Sequence, residues 1–254
     1  MSELNLNTYN SDAVIKWYKH LNEITFVEKK IFETHKDLLA SSKILDIGIG
    51  GGRTTAYLLD KCKSYTGIDY SKGFVDAVKK KYPNADIRLA DARDLKAFEN
   101  NSFDLVNFSF NGIDYVGPED RKKIFNEIYR VLKPGAFFFF STHNKDHKTF
   151  DQFPWLDKNN SFITNLKTFV KLLPFLPRHL KQKRKEINLN DYSVINDSAH
   201  NYGLLTFYTS PQFLKKQLTH HSFNEICLLS KNGETVSDDK LDDWIFVTCK
   251  RSSA

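Results

Sequence analysis

The apolar stretch Lys43-Ile44-Leu45-Asp46-Ile47 runs into Gly48-Ile49-Gly50-Gly51-Gly52, and the helix-competent Ala56-Tyr57-Leu58-Leu59 follows almost at once. This pattern reads as a strand that stops at a tight turn feeding a helix N-terminus. Glycines there allow unusual dihedrals and let a ligand approach bare backbone. A dinucleotide site would need Gly-x-Gly-x-x-Gly. Set on Gly48 and Gly50, that pattern meets Arg53 where its third glycine should be; set on Gly50 and Gly52, it meets Thr55. Both registers fail. The pattern that is complete is Asp-x-Gly-x-Gly-x-Gly, from Asp46 to Gly52.

Further strands ending in acids follow in order. Ser64-Tyr65-Thr66-Gly67-Ile68-Asp69 reads as a second strand, and Asp69 stands where an α/β nucleotide site places a carboxylate for ribose hydroxyls. Ala85 to Ala90 reads as a third strand, ending at Asp91-Ala92, and Phe103 to Phe108 as a fourth. Gly117-Pro118-Glu119-Asp120 opens a helix with proline and acids in its first turn, as the helix dipole favours. That helix buries Ile124, Phe125, Ile128, Val131 and Leu132 and is expected to stop at Lys133-Pro134-Gly135. Ala136 to Thr142 is apolar without alternation, as in a central strand covered on both faces.

The glycine motif with its train of strand-end acids resembles the class I S-adenosylmethionine (SAM) methyltransferase superfamily over about residues 40–142, and more loosely at the C-terminal pair of strands. The resemblance implies a doubly wound α/β fold: a seven-stranded mixed sheet with an antiparallel C-terminal hairpin, here carrying an inserted substrate cap. It implies SAM as cofactor, with Asp46, Gly48, Gly50, Gly52, Arg53, Asp69, Tyr70, Asp91, Ala92, Phe108 and Ser109 at the cofactor. The expected organisation is N-terminal helices and SAM-binding core in residues 1–142, cap in 143–209, and a closing helix and strand pair in 210–254. Ser210-Pro211 caps that helix, and strands are expected at Phe223–Leu229 and Trp244–Cys249. An N-terminal helix often folds over the pocket in proteins of this type, making Tyr9, Trp17 and Tyr18 candidates to line it.

Methyl transfer from a sulfonium is an in-line displacement, so a site must chiefly hold nucleophile, methyl and sulfur collinear in a dry place. Acceptor residues belong near the carboxyl ends of the fourth and fifth strands. That points to Asn111, Asp114, Tyr115 and Asn144, with Tyr202 from the cap. His143 and His200 are candidate bases, because imidazole titrates near neutrality. No metal is expected, since His143, Asn144 and a more distant Asp146 match a cation site poorly. Ser109-Phe110-Asn111-Gly112 departs from the Asn/Asp-Pro-Pro-aromatic motif of exocyclic-amino nucleic-acid methyltransferases, and there is no Pro-Cys nucleophile. The expectation is therefore methylation of an O or N atom of a small molecule, such as a sugar, amino sugar, nucleotide-linked or natural-product intermediate. The alternatives are a nucleic-acid or protein methyltransferase docking through a basic cap, and a SAM-binding protein without turnover.

Charge is lopsided. Residues 158–185 carry eight lysines and arginines and no acid; the rest of the chain has 29 basic and 31 acidic residues, so this segment carries the net +6. A solvated face and attraction of an anionic acceptor both account for it. An interfacial helix at Phe169–Leu176 is a weaker reading, because two prolines interrupt the stretch. No apolar run approaches the ~20 residues that span a bilayer. Met1-Ser2-Glu3-Leu4-Asn5 has no signal-peptide character, and Cys62, Cys227 and Cys249 lack pairing or metal spacing. A cytoplasmic setting is expected.

Overall fold

The computed structural model describes residues 1–158 and 160–253. Asn159 and Ala254, which fall within the expected cap and C-terminal segments, lie outside the described residues. Four helices precede the sheet: α1 (Ser2–Tyr9), α2 (Asp12–Lys19), α3 (Phe26–Thr34) and α4 (Lys36–Ser41). The core then alternates: β1 (Lys43–Ile47), α5 (Arg53–Leu58), β2 (Ser64–Asp69), α6 (Lys72–Lys81), β3 (Asp86–Leu89), β4 (Phe103–Phe108), α7 (Pro118–Val131) and β5 (Leu132–Asn144). The inserted segment forms α8 (Phe162–Leu172), α9 (Leu176–Lys183), β6 (Ile187–Asn188), β7 (Tyr192–Ile195) and β8 (Thr206–Thr209). The chain closes with α10 (Pro211–His220), β9 (Phe223–Leu229) and β10 (Trp244–Arg251).

The seven expected strands are present. β3, β2, β1, β4 and β5 are parallel neighbours in that order, β10 runs antiparallel to β5, and β9 antiparallel to β10. Three further strands, not anticipated from sequence, extend the same sheet. β5 outruns β4, whose last paired residue meets Phe140, and the edge left open at His143 and Asn144 is taken by β8. β7 pairs with β8 and β6 with β7, both antiparallel. Part of the cap is thus built onto the core sheet, immediately beside the expected acceptor residues. β5 also starts earlier than expected, at Leu132, because Lys133-Pro134-Gly135 is absorbed into the strand with Gly135 at φ +75°.

Helices cover both faces, and the alternation along β5 shows why. Phe138 and Phe140 pack with Ile124, Phe125 and Ile128 of α7 and with Leu214 and Leu218 of α10. Phe139 points the other way, into Val27, Ile31 and Phe32 of α3, Leu58 of α5 and Val75 and Val78 of α6. Each such side chain removed from water contributes ~1.5–3 kcal/mol. Ser210 accepts from the Phe213 amide at 3.2 Å and so caps α10, as its position before Pro211 predicts.

Candidate active site

The glycine loop between β1 and α5 has positive φ at Gly48 (67°), Gly50 (51°) and Gly52 (83°), which L side chains rarely adopt. Beneath the loop Asp46 is fully buried and accepts from Thr54 Oγ1 at 2.6 Å, Tyr65 OH at 2.7 Å and Asn107 Nδ2 at 2.7 Å. Burial pushes its carboxyl above the usual range, against those three donors. Asp46 therefore ties β1, α5, β2 and β4 together under the loop and does not line the cleft. Arg53 is likewise turned away. Glu28 of α3 grips its guanidinium through both carboxylate oxygens, and it also contacts Ser109 Oγ at 3.3 Å and the Phe110 ring at 4.8 Å. Glu28 doubles as the capping-box partner of Thr25.

Above the loop lies a cleft at the carboxyl ends of β1, β2, β3 and β4, beside the point where strand order reverses between β1 and β4. Its cavity volume is about 90 Å³. Gly48, Gly50, Asp69, Tyr70, Asp91, Ala92, Phe108, Ser109 and Tyr115 all line it. Asp69 Oδ2 accepts from the Gly50 amide at 2.9 Å and Oδ1 from the Ser71 amide at 2.8 Å. Burial nevertheless raises its carboxyl to about 6, so those two bonds do not compensate its desolvation. Each oxygen keeps accepting capacity for a ligand hydroxyl. Asp91 is paired with Arg93, which also reaches Asp120 at 2.8 Å.

Tyr9 at the end of α1 and Tyr18 in α2 form the roof, as the aromatic N-terminus suggested. The Tyr9 and Tyr115 rings lie 5.3 Å apart, edge to face. Burial lifts both phenols well above their usual range and Tyr18 to about 12, so these are hydroxyl donors, not phenolates. Trp17 is half exposed and stands behind Tyr18. Phe74, Arg93, Val116 and Ile124 also line the cleft. They were not site candidates from sequence, and only Arg93, two residues after Asp91, carried a readable signal.

The remaining candidates sit outside the cleft. Asp114, fully buried, accepts from Arg121 Nη1 at 2.7 Å, from the His143 amide at 2.7 Å and from His143 Nδ1 at 2.8 Å. His143 Nε2 faces Asn111 Nδ2 at 3.1 Å, so both ring nitrogens are engaged, with Nδ1–H donating to Asp114 and Nε2 accepting. Asn144 is tied to the Asp242 carbonyl at 2.9 Å, and Gly52 packs toward α6. Tyr202 is buried against His179. His200 lines a second groove beyond the roof, and its ring lies 6.0 Å from Tyr9 and 5.8 Å from Tyr18.

Fold and cleft together define a nucleotide-type α/β site whose loop carries the SAM motif. A family model described as a methyltransferase domain matches residues 45–140. The chain is 25% identical over 170 residues to phosphoethanolamine N-methyltransferase of Plasmodium falciparum, covering 63% of this chain and 62% of that one. It is 28% identical over 186 residues to ubiquinone biosynthesis O-methyltransferase of Idiomarina loihiensis, covering 72% and 70%. The chain thus spans less than two thirds of the Plasmodium relative's length. A SAM-dependent methyltransferase structure from Methanosarcina mazei superposes with a TM-score of 0.58 at 20% identity, over 87% of this chain and 98% of that one. Residues 45–140 thus match the methyltransferase-domain family, and the fold is that of class I SAM-dependent methyltransferases.

Proposed function

We propose that the protein transfers the methyl group of SAM to an oxygen or nitrogen atom of a small molecule. The observation that carries this reading is the cleft: bare glycine backbone and an under-compensated Asp69 at one end, a roof of tyrosines from the N-terminal helices at the other. Asp69 would accept the ribose hydroxyls, Asp91 and Ala92 would border the adenine, and Gly48, Gly50 and Ser109 the methionine part. The roof excludes water from the transfer. No group lining the cleft is an evident strong base, which suits an amine that loses its proton to water; an oxygen acceptor would need His143 freed from Asn111.

The second groove supports an acceptor with an anionic group. Thr8, Trp17, Lys171, Arg178 and His200 line it, and no acidic side chain does. Among the described residues Arg178 meets only neutral partners there, Thr8 Oγ1 at 3.2 Å and the Gly203 carbonyl at 3.4 Å. One layer of rings, His200 with Tyr9 and Tyr18, separates it from the cleft. The three cysteines are free thiols, which fits a reducing cytoplasm. The test is calorimetry with SAM, followed by methyl-labelled SAM with a panel of sugar nucleotides, amines, phenols and phosphomonoesters. Labelled product from one class supports the reading. SAM binding without transfer to any of them favours a non-catalytic binder, and absence of SAM binding overturns it.

A further inference from the structure

α8 presents several large apolar side chains to solvent. Its inward side carries Asn165, Thr168, Phe169 and Leu172, with Asn165 Nδ2 bonded to the Asp157 carbonyl at 2.9 Å. Its outward side carries Phe162, Ile163, Leu166 and Val170, which are 80%, 64%, 50% and 59% exposed; Leu173 just beyond is 48% exposed. In α9, His179 and Gln182 are buried while Leu180 is 65% exposed. A soluble face normally shows the opposite arrangement, and a contiguous apolar patch marks a surface that meets something. The same segment carries the eight uncompensated basic residues. Among the described residues none of the eight has a carboxylate within ion-pair distance.

We propose that this α8–α9 face docks on an anionic lipid surface, with the apolar side chains entering the headgroup boundary and the exposed basic residues outside the second groove, Lys167, Lys181, Lys183, Arg184 and Lys185, meeting lipid phosphates. Two observations select this occupant. Apolar side chains ringed by cations are what an interfacial helix presents. A second copy of the chain would bring eight more positive charges and no acid to the same contact, so self-association is opposed by charge. The two prolines that weaken the reading in sequence sit at the first turns of separate short helices, Pro174 before α9 and Pro177 within its first turn, where they do not break the exposed face. The proposal does not depend on the methyl acceptor's identity.

The test is co-sedimentation of the full chain with phosphatidylcholine vesicles, with and without phosphatidylglycerol. We expect retention on the anionic vesicles, weakened by salt, and at least about a tenfold loss in the triple variant Phe162→Ser, Ile163→Ser, Leu166→Ser. These positions are exposed, so circular dichroism should be unchanged. Lys79→Gln with Lys80→Gln, which removes the same kind of charge from α6, should leave retention intact. No retention of wild-type protein, or equal retention of the triple variant, overturns the proposal. So does a sedimentation-velocity dimer without vesicles that the triple variant dissolves, since the face would then belong to a second copy.

Discussion

The backbone carbonyl of Tyr18 lies so close to Gly51 that a Cβ at residue 51 would stand 2.2 Å from it. The end of α2 is therefore seated directly on the glycine loop, and loop and roof are one assembly. The bare backbone serves two purposes: Gly50 and Gly48 border the cleft, while Gly51 admits the lid. Gly51→Ala should displace α2, weaken SAM binding by about tenfold or more, and speed proteolysis between α2 and α3. Calorimetry and limited trypsin digestion check this; unchanged affinity and cleavage would show that the lid does not rest on the loop.

SAM binding should depend on pH through Asp69. Ribose hydroxyls donate to the ionised carboxylate, and its proton affinity in the free protein is raised to about 6. Affinity should be level above that value and fall about tenfold between pH 7 and pH 5. Stability without SAM carries the opposite sign from this group. A carboxyl raised above its unfolded value favours the folded state when protonated, so Asp69 weakens the fold above about pH 6 and is relieved as pH falls through 6. Isothermal titrations at several pH values, repeated with Asp69→Asn, separate this group from the rest.

Asp114 and Arg121 form a fully buried ion pair near the carboxyl end of β5. Asp114→Asn strands the guanidinium and should cost about 3–5 kcal/mol in urea denaturation. Adding Arg121→Met should recover much of that loss, because removing both charges ends the penalty. A single variant as stable as wild type would mean the pair is dispensable.

Arg178→Gln should raise the acceptor's KM about tenfold with little change in SAM affinity, because the guanidinium faces the groove beyond the ring layer. Lys183→Gln, on the same helix but outside the groove, should leave KM near wild type. Equal effects of the two would point to general attraction by net charge.

Much of the core was legible because its strands are largely apolar runs of ordinary length, those of β1 and β2 closed by a glycine and an acid. β2 and β4 follow their expected outlines closely for that reason. The cleft side of the site was legible in the same way: Gly48, Gly50, Asp69, Asp91 and Tyr115 all reach it. Asp46 and Arg53 did not, because their partners Thr54, Tyr65, Asn107 and Glu28 come from separate elements that only folding brings together. β6, β7 and β8 escaped because strands of two to four residues carry too little periodicity. For α8, the sequence reads as an apolar-rich cap helix, and only the folded structure shows that Phe162, Ile163 and Leu166 face solvent.

The central claim is that this cleft holds SAM with its ribose on Asp69. Calorimetric titration of SAM into wild type and Asp69→Ala, with fold verified by circular dichroism, tests it most directly. The account predicts affinity lower by ten- to a hundredfold in the variant, ~1.5–3 kcal/mol of charge-assisted hydrogen bonding. SAM binding equally well to both proteins would contradict it.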